Sequence, residues 1–190
     1  LIPRFAKNAK LKGAAGGYFG HMWELYTFWA FLPALILTLR NPIQTISYQS
    51  IWTFTIIAAG GISCAVGGII AQKIGSEKVA IWSLVGSGLC GLILLISPEI
   101  PPILILPFLM IWGILVTADS PQFSTLVAQS VPAEERGTAL TLVNSLGFGL
   151  TVISIYLTRS LTLFLEPKMA LGLLFIGPVI GVAIFKYFRK

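Results

Sequence analysis

Charge is what this 190-residue chain has least of. Only 11% of its residues are Asp, Glu, Lys or Arg, against roughly 25% in a soluble globular domain. So few charges do not cover a water-facing surface, which argues against a soluble domain of any kind. Histidine occurs once, as His21, and cysteine twice, as Cys64 and Cys90, both within apolar runs. Cysteines so placed are small packing residues rather than a disulfide or a metal pair. The first apolar run is too long and too aromatic to be expected to act as a cleavable signal peptide. The chain opens on Leu1 rather than Met, so its natural N-terminus is expected to lie further upstream.

What is present is apolar residues in long runs. They make up 56% of the chain, and mean hydropathy is +0.88. A membrane-spanning helix needs about 20 mostly apolar residues. Six stretches meet or approach that: 13–39, 44–71, 78–97, 103–130, 138–158 and 169–185. They are separated by Arg40-Asn41-Pro42, the polar loop Gln72–Glu77, Pro98-Glu99-Ile100-Pro101-Pro102, the loop Val131–Gly137 and a partly apolar connection from Arg159 to Lys168. The expected fold class is an all-α membrane protein, a six-transmembrane-helix bundle over 13–190. A basic cytoplasmic linker, 1–12, with Arg4, Lys7, Lys10 and Lys12, precedes it.

Net charge is +6, but the basic residues gather at span ends, a sign of topology rather than of nucleic-acid binding. With the N-terminus inside, the inner side holds Arg4, Lys7, Lys10, Lys12, Lys73, Lys78, Arg136, Lys186, Arg189 and Lys190. The outer side then holds Arg40, Arg159 and Lys168. The excess of Lys and Arg on cytoplasmic loops predicts that both termini are cytoplasmic. Small residues recur at four-residue spacing (Gly60-Cys64-Gly68, Ser87-Gly91, Gly177-Gly181), which lets helices approach closely and signals a packed bundle.

The stretch Gly16–Pro33 is apolar enough for a bilayer, yet it carries His21 and Glu24 one turn apart. An ionisable residue inside a span is costly and is a functional-site hypothesis by default. On a helical wheel Gly17, Gly20, His21, Thr27, Phe28 and Phe31 share the Glu24 side. Asp119 lies inside the fourth span on a face with Trp112, Gln122, Leu126 and Ser130, and Pro121 follows it. A proline there frees the carbonyl of Thr117 and predicts a kink beside Asp119. Glu24 is 11 residues past Gly13, and Asp119 is 12 residues before Val131. At about 1.5 Å per residue both lie roughly 17 Å from the cytoplasmic boundary, near the middle of a hydrocarbon core about 30 Å thick.

The fifth span adds Thr141, Asn144, Phe148 and Thr151 on one face, and the second adds Gln49, Trp52, Thr53, Ser63 and Gly67. Spans one, two, four and five are therefore expected to line an aqueous path, with three and six outside. Two readings stand side by side. Glu24 with His21 is a cavity or proton-handling group, or a buried structural pair; Asp119 is the same, or a cap for the broken backbone. Residues such as Gln49, Thr141, Asn144 and Thr151 are more often interhelical hydrogen-bond glue than ligand contacts.

Six spans with both ends inside, together with three stretches, resemble the C-terminal half of a major facilitator superfamily (MFS) transporter. Gly68-Ile69-Ile70-Ala71-Gln72-Lys73-Ile74-Gly75-Ser76-Glu77-Lys78 resembles the family's Gly-x-x-x-Asp-Arg-x-Gly-Arg-Lys loop between helices eight and nine. Gln72 stands at the acidic position, and only Lys73 and Lys78 keep basic charge. Pro132-Ala133-Glu134-Glu135-Arg136-Gly137 resembles the loop before helix eleven, and Gly17–Pro33 resembles helix seven of a bacterial subgroup often labelled nitrate, cyanate or general transporters. The resemblance implies two six-helix bundles rocking about a midplane site. This chain would supply one, and the other would be an N-terminal six-helix half from the same protein, a separate chain or a second copy.

The functional expectation is secondary active, proton-coupled symport or antiport of a small solute across a bacterial cytoplasmic membrane. Proton-coupling or substrate candidates are Glu24, His21, Asp119, Asn144, Gln49 and Gln122; cytoplasmic gate candidates are Gly68, Gln72, Lys73, Gly75, Lys78 and Arg136. No Arg or Lys lies inside a span, so a neutral or cationic solute fits the two carboxylates better than an anion. The other class considered is a non-transporting membrane module with a scaffold or assembly role. No metal-ligand cluster, nucleophile–base set or phosphate-binding glycine loop is evident, so neither an enzyme nor a cofactor or metal is expected, and the expected partners are lipid, solute and the other half.

Overall fold

The structure, a computed structural model, describes residues 7–37, 45–97 and 100–189. The expected breaks at 40–42 and at Pro98-Glu99, most of the linker and Lys190 lie outside the described residues. Within them the chain is helical, with no strand. Helix α1 is Ala9–Leu37, α2 Ile46–Ile74, α3 Ser76–Ile96, α4 Pro102–Ala118 and α5 Ser120–Gln129. A 3-10 turn, Ala133–Glu135, leads into α6, Arg136–Leu161. The last span is made of α7, Pro167–Gly172, a second 3-10 turn, Leu173–Phe175, and α8, Ile176–Phe188.

Local chemistry explains the boundaries, including those that differ from expectation. Asn8 caps α1: its carbonyl accepts from Lys12 N–H at 3.0 Å, and its side-chain Oδ1 accepts from Leu11 N–H at 3.0 Å. The helix therefore starts within the stretch expected to be linker. Thr45 caps α2 through Tyr48 N–H at 3.1 Å. The polar loop expected over 72–77 shrinks to Gly75 alone, because its φ of 92° turns the chain between two helices at one residue. Glycine reaches that region without the Cβ clash other residues meet. The last span was expected to be continuous but narrows to a 3-10 turn at 173–175. Pro178 has no N–H for the carbonyl four residues back. Gly172 sits so close to α3 that a Cβ there would meet Leu95 N at 2.7 Å.

Five described segments are long and apolar enough to cross a membrane: Ile46–Ile74, Ser76–Ile96, Ile103–Gln129, Ala133–Leu161 and Pro167–Phe188. The chain is an integral membrane helical bundle. Helix α1 is not among the five, and its position accounts for this. It is the axis of the bundle, packed chiefly on α8 and α6 and also on α5, and is buried at residues as far apart as Leu11 and Ile36. A helix surrounded by protein rather than by lipid can carry Gly, His and Glu that hydrocarbon would penalise.

Helix packing follows a reciprocal rule. The first span, α1, packs on the fifth and sixth, α6 and α8, while the fourth, α4, packs on the second and third, α2 and α3. The lead helix of each three-span unit thus lies against the two following helices of the other unit. The core is in two parts. One holds Phe28, Leu32, Leu94, Leu109 and Trp112; the other holds Tyr18, Met22, Phe123, Leu126 and Phe185. Between them, on α1 and at the α4–α5 break, lie the ionisable residues.

Candidate functional site: a sealed acidic layer

Both intramembrane carboxylates are completely enclosed, with 0% exposure for Glu24, Asp119 and His21. Glu24 stands in the middle of α1 and accepts two hydrogen bonds. Trp112 Nε1 of α4 donates to Oε1 at 2.7 Å, and Ser87 Oγ of α3 donates to Oε2 at 2.7 Å. Trp112 is itself fully buried, with its ring 4.8 Å from that of Phe28. Burying a polar group unpaired costs several kcal/mol, so two donors of this kind are what hold a carboxyl group here.

His21 does not pair with Glu24, as its position one turn away suggested. Its Nδ1 lies 2.8 Å from Asp119 Oδ1. Residues three apart on a helix share a face but lie at different heights along it. The level of Glu24 is occupied by Trp112 and Ser87, whereas the level of His21 meets the end of α4. His21 Nε2 and Asp119 Oδ2 find no side-chain partner among the described residues. The Tyr18 ring lies beside His21, with centroids 5.8 Å apart.

Asp119 is itself the break. Helix α4 ends at Ala118, α5 begins at Ser120, and Asp119 carbonyl accepts from Gln122 and Phe123 N–H at 3.0 Å each. This is the expected kink beside Pro121. The carbonyl of Thr117, which the proline leaves without its helical donor, is met by Cys64 Sγ of α2 at 3.3 Å.

The third and last spans are not peripheral. Ser87 on α3 reaches Glu24, and α8 is pressed against α1: a Cβ on Gly20 would lie 2.6 Å from Gly177 O and 2.9 Å from Gly181 Cα. Ser87 was legible only as half of a small-residue pair, although a lone hydroxyl in an apolar helix is itself a signal for an interhelical bond. Helix α6 is tied to α1 by Ser154 Oγ to Trp23 O at 2.6 Å, Thr27 Oγ1 to Ser154 Oγ at 2.8 Å and Thr151 Oγ1 to Met22 O at 2.9 Å. Thr151 therefore faces α1 rather than sharing an open face with Thr141 and Phe148, which are exposed.

The remaining candidates are scattered. Gln122 is buried just after the break, whereas Gln49 near the start of α2 and Asn144 on α6 are half-buried and hold no bond to the acidic layer. At the end of the bundle bearing Gly75, the residues Gln72, Lys73, Lys78 and Arg136 are exposed, and Gly68 has open space where a Cβ would stand. The ion pair at that end joins Arg189 to Glu77, which tie the end of α8 to the start of α3. Among the described residues no group of three His, Cys, Asp or Glu side chains is placed to hold a metal ion.

No protein-family model matches the chain, and neither the curated proteins nor the solved structures contain a match to it.

Proposed function

We propose that this chain is one six-helix half of an alternating-access secondary transporter of the MFS type, moving a small neutral or cationic solute with protons across a bacterial cytoplasmic membrane. The observation that carries this reading is the acidic layer itself. Two enclosed carboxylates, one on the lead helix of each three-span unit, are each held by a group from the other lead helix: Trp112 on Glu24, His21 on Asp119. An ionisable carboxyl group enclosed within a span is a candidate proton carrier, and a broken helix beside it is where transporters place their sites. Reciprocal packing of the two units is also what repeats about a midplane axis produce. A catalytic role has no part in this reading.

The complementary half would cover α2 and α6. Both turn broad faces outward, among them Phe54, Ile62 and Ile69 on α2 and Phe148, Val152 and Tyr156 on α6. Gly61 on α2 and Gly149 on α6 have no atom within 4 Å of where a Cβ would stand.

The test is solute-driven proton movement in proteoliposomes made from the assembly as extracted, followed with a trapped pH dye over a panel of neutral and cationic solutes. Glu24→Gln is expected to abolish proton movement in a protein that still folds. Proton coupling undiminished in that variant would sink the assignment of Glu24.

One observation favours the second reading, a non-transporting membrane module. Both Glu24 oxygens are already bonded inside the bundle, as in a structural pin. That reading requires Glu24→Gln to lower stability without any solute-driven flux existing in the parent protein.

A further inference from the structure

We propose that the turn joining α6 to α7, residues 162–165, is a membrane anchor that seats Leu163 and Phe164 at the glycerol level of the phospholipid bilayer. The inference depends neither on the transport reading nor on which side of the membrane the termini lie. It needs only that the chain spans a membrane.

Turns that face water are built chiefly from Gly, Pro, Asn, Asp and Ser. This one reads Thr-Leu-Phe-Leu. Leu163 is 78% exposed and Phe164 85%, side by side at the end of the bundle away from Gly75.

The backbone is finished for an apolar medium. A helix end leaves four carbonyls without an intrahelical donor, and water commonly serves them. Here the Thr158 carbonyl accepts from Thr162 N–H at 3.1 Å, and the Arg159 carbonyl from Thr162 Oγ1 at 2.7 Å. The Ser160 carbonyl accepts from Leu163 N–H at 3.2 Å, and the Leu161 carbonyl from Phe164 and Leu165 N–H at 3.0 and 2.9 Å. The last four carbonyls of α6, every N–H of the turn and its one hydroxyl are therefore bonded locally. Backbone in contact with lipid has to be satisfied in this way. A turn in water has solvent for the purpose, and a turn against another protein has that protein's polar groups.

Length sets the depth. Helix α6 has 26 residues and at about 1.5 Å each spans roughly 39 Å. That exceeds a hydrocarbon core of about 30 Å but not the roughly 40–45 Å that includes the headgroups. With Arg136 at one interface, the turn lies at the other. Exposed Arg159, four residues before Leu163, and half-buried Lys168 flank it. Long cationic side chains at a span end reach outward to the interface while their stems stay on apolar surface, which leaves the level beneath them to Leu163 and Phe164.

The experiment is spin labelling of Leu163→Cys and Phe164→Cys in the assembly as extracted, reconstituted in phospholipid vesicles. The background is Cys64→Ser with Cys90→Ala, in which serine keeps a donor for the Thr117 carbonyl. Both labelled positions are exposed, so neither variant endangers the fold. Collisional relaxation is read with dioxygen, which concentrates in lipid, and with a nickel chelate, which stays in water. Dioxygen is expected to be the stronger relaxer at both positions, with the order reversed at Glu134→Cys, an exposed position at the opposite end. The nickel chelate as the stronger relaxer at 163 and 164 would place the turn in water and overturn the proposal. An immobilised label reached by neither reagent overturns it too, since a second copy or the complementary half would then cover the turn.

Discussion

His21 Nδ1 lies 2.8 Å from Asp119 Oδ1, and this contact joins the axial helix of the bundle to the break in its fourth span. The single histidine of the chain thereby contacts the residue at which the fourth span is interrupted, Asp119. Removing either partner strands the other where its side chain has no exposure to solvent.

His21→Ala is therefore expected to destabilise the protein by about 1–3 kcal/mol, the cost of a buried group left unpaired. Asp119→Asn in the His21→Ala background should return part of that loss, since a neutral amide is less costly to bury alone than a carboxylate. Thermal unfolding in detergent across the double-mutant cycle measures the coupling. A coupling energy of zero would mean that the pair is incidental.

At Glu24 the two donors can be removed separately. Trp112→Phe keeps the ring against Phe28 and loses only the N–H, and Ser87→Ala loses only the hydroxyl. Each should cost about 1 kcal/mol, and the double variant should cost more than the sum, because Glu24 then has no donor. Glu24→Gln should be milder than the double variant: the amide oxygen still accepts from Trp112, and the Ser87 hydroxyl can turn to accept from the amide nitrogen. Unfolding midpoints of the four proteins check this order.

The glycines divide into those that set helix spacing and those that do not. Gly20→Ala places a methyl 2.6 Å from a backbone oxygen of α8, which can relieve the clash only by moving the helix. Gly61→Ala meets no atom within 4 Å. The first should destabilise, and the second should be neutral or stabilising by up to about 1 kcal/mol, through the helix propensity of alanine. Equal effects of the two in a thermal-stability assay would show that α1 and α8 do not depend on this approach.

Gly75 poses a backbone question instead. Space around it is open, but its φ is 92°. Gly75→Ala is expected to cost about 1–3 kcal/mol from that conformation alone, and Gly75→Asn about as much, since Asn tolerates the αL region but not a ψ of 143° at this φ. A gain in stability with alanine would mean that the α2–α3 turn adopts another geometry.

The membrane class, the long apolar runs and the break of the fourth span beside Pro121 were legible in the residues; Glu24 and Asp119 were placed at similar depth, but toward an aqueous path rather than in the sealed layer they form. These depend on transfer of side chains from water, on the missing N–H of proline and on a fixed rise per residue, and all three act within one helix. The start of α1 at Ala9, capped by Asn8, was not read from the sequence: residues 1–12 were expected to be linker. What the tertiary structure alone decided is which helix meets which, and at what height. A wheel gives the angle of Glu24 on α1, but not the neighbour that α1 turns that angle toward. Ser87 and Trp112 became partners of Glu24, and Asp119 the partner of His21, only when α1 took the axis and the two three-span units packed reciprocally. That order is set by contacts between distant segments, such as Gly20 against Gly177 and Gly181, whose closeness depends on both helices at once and is written in neither.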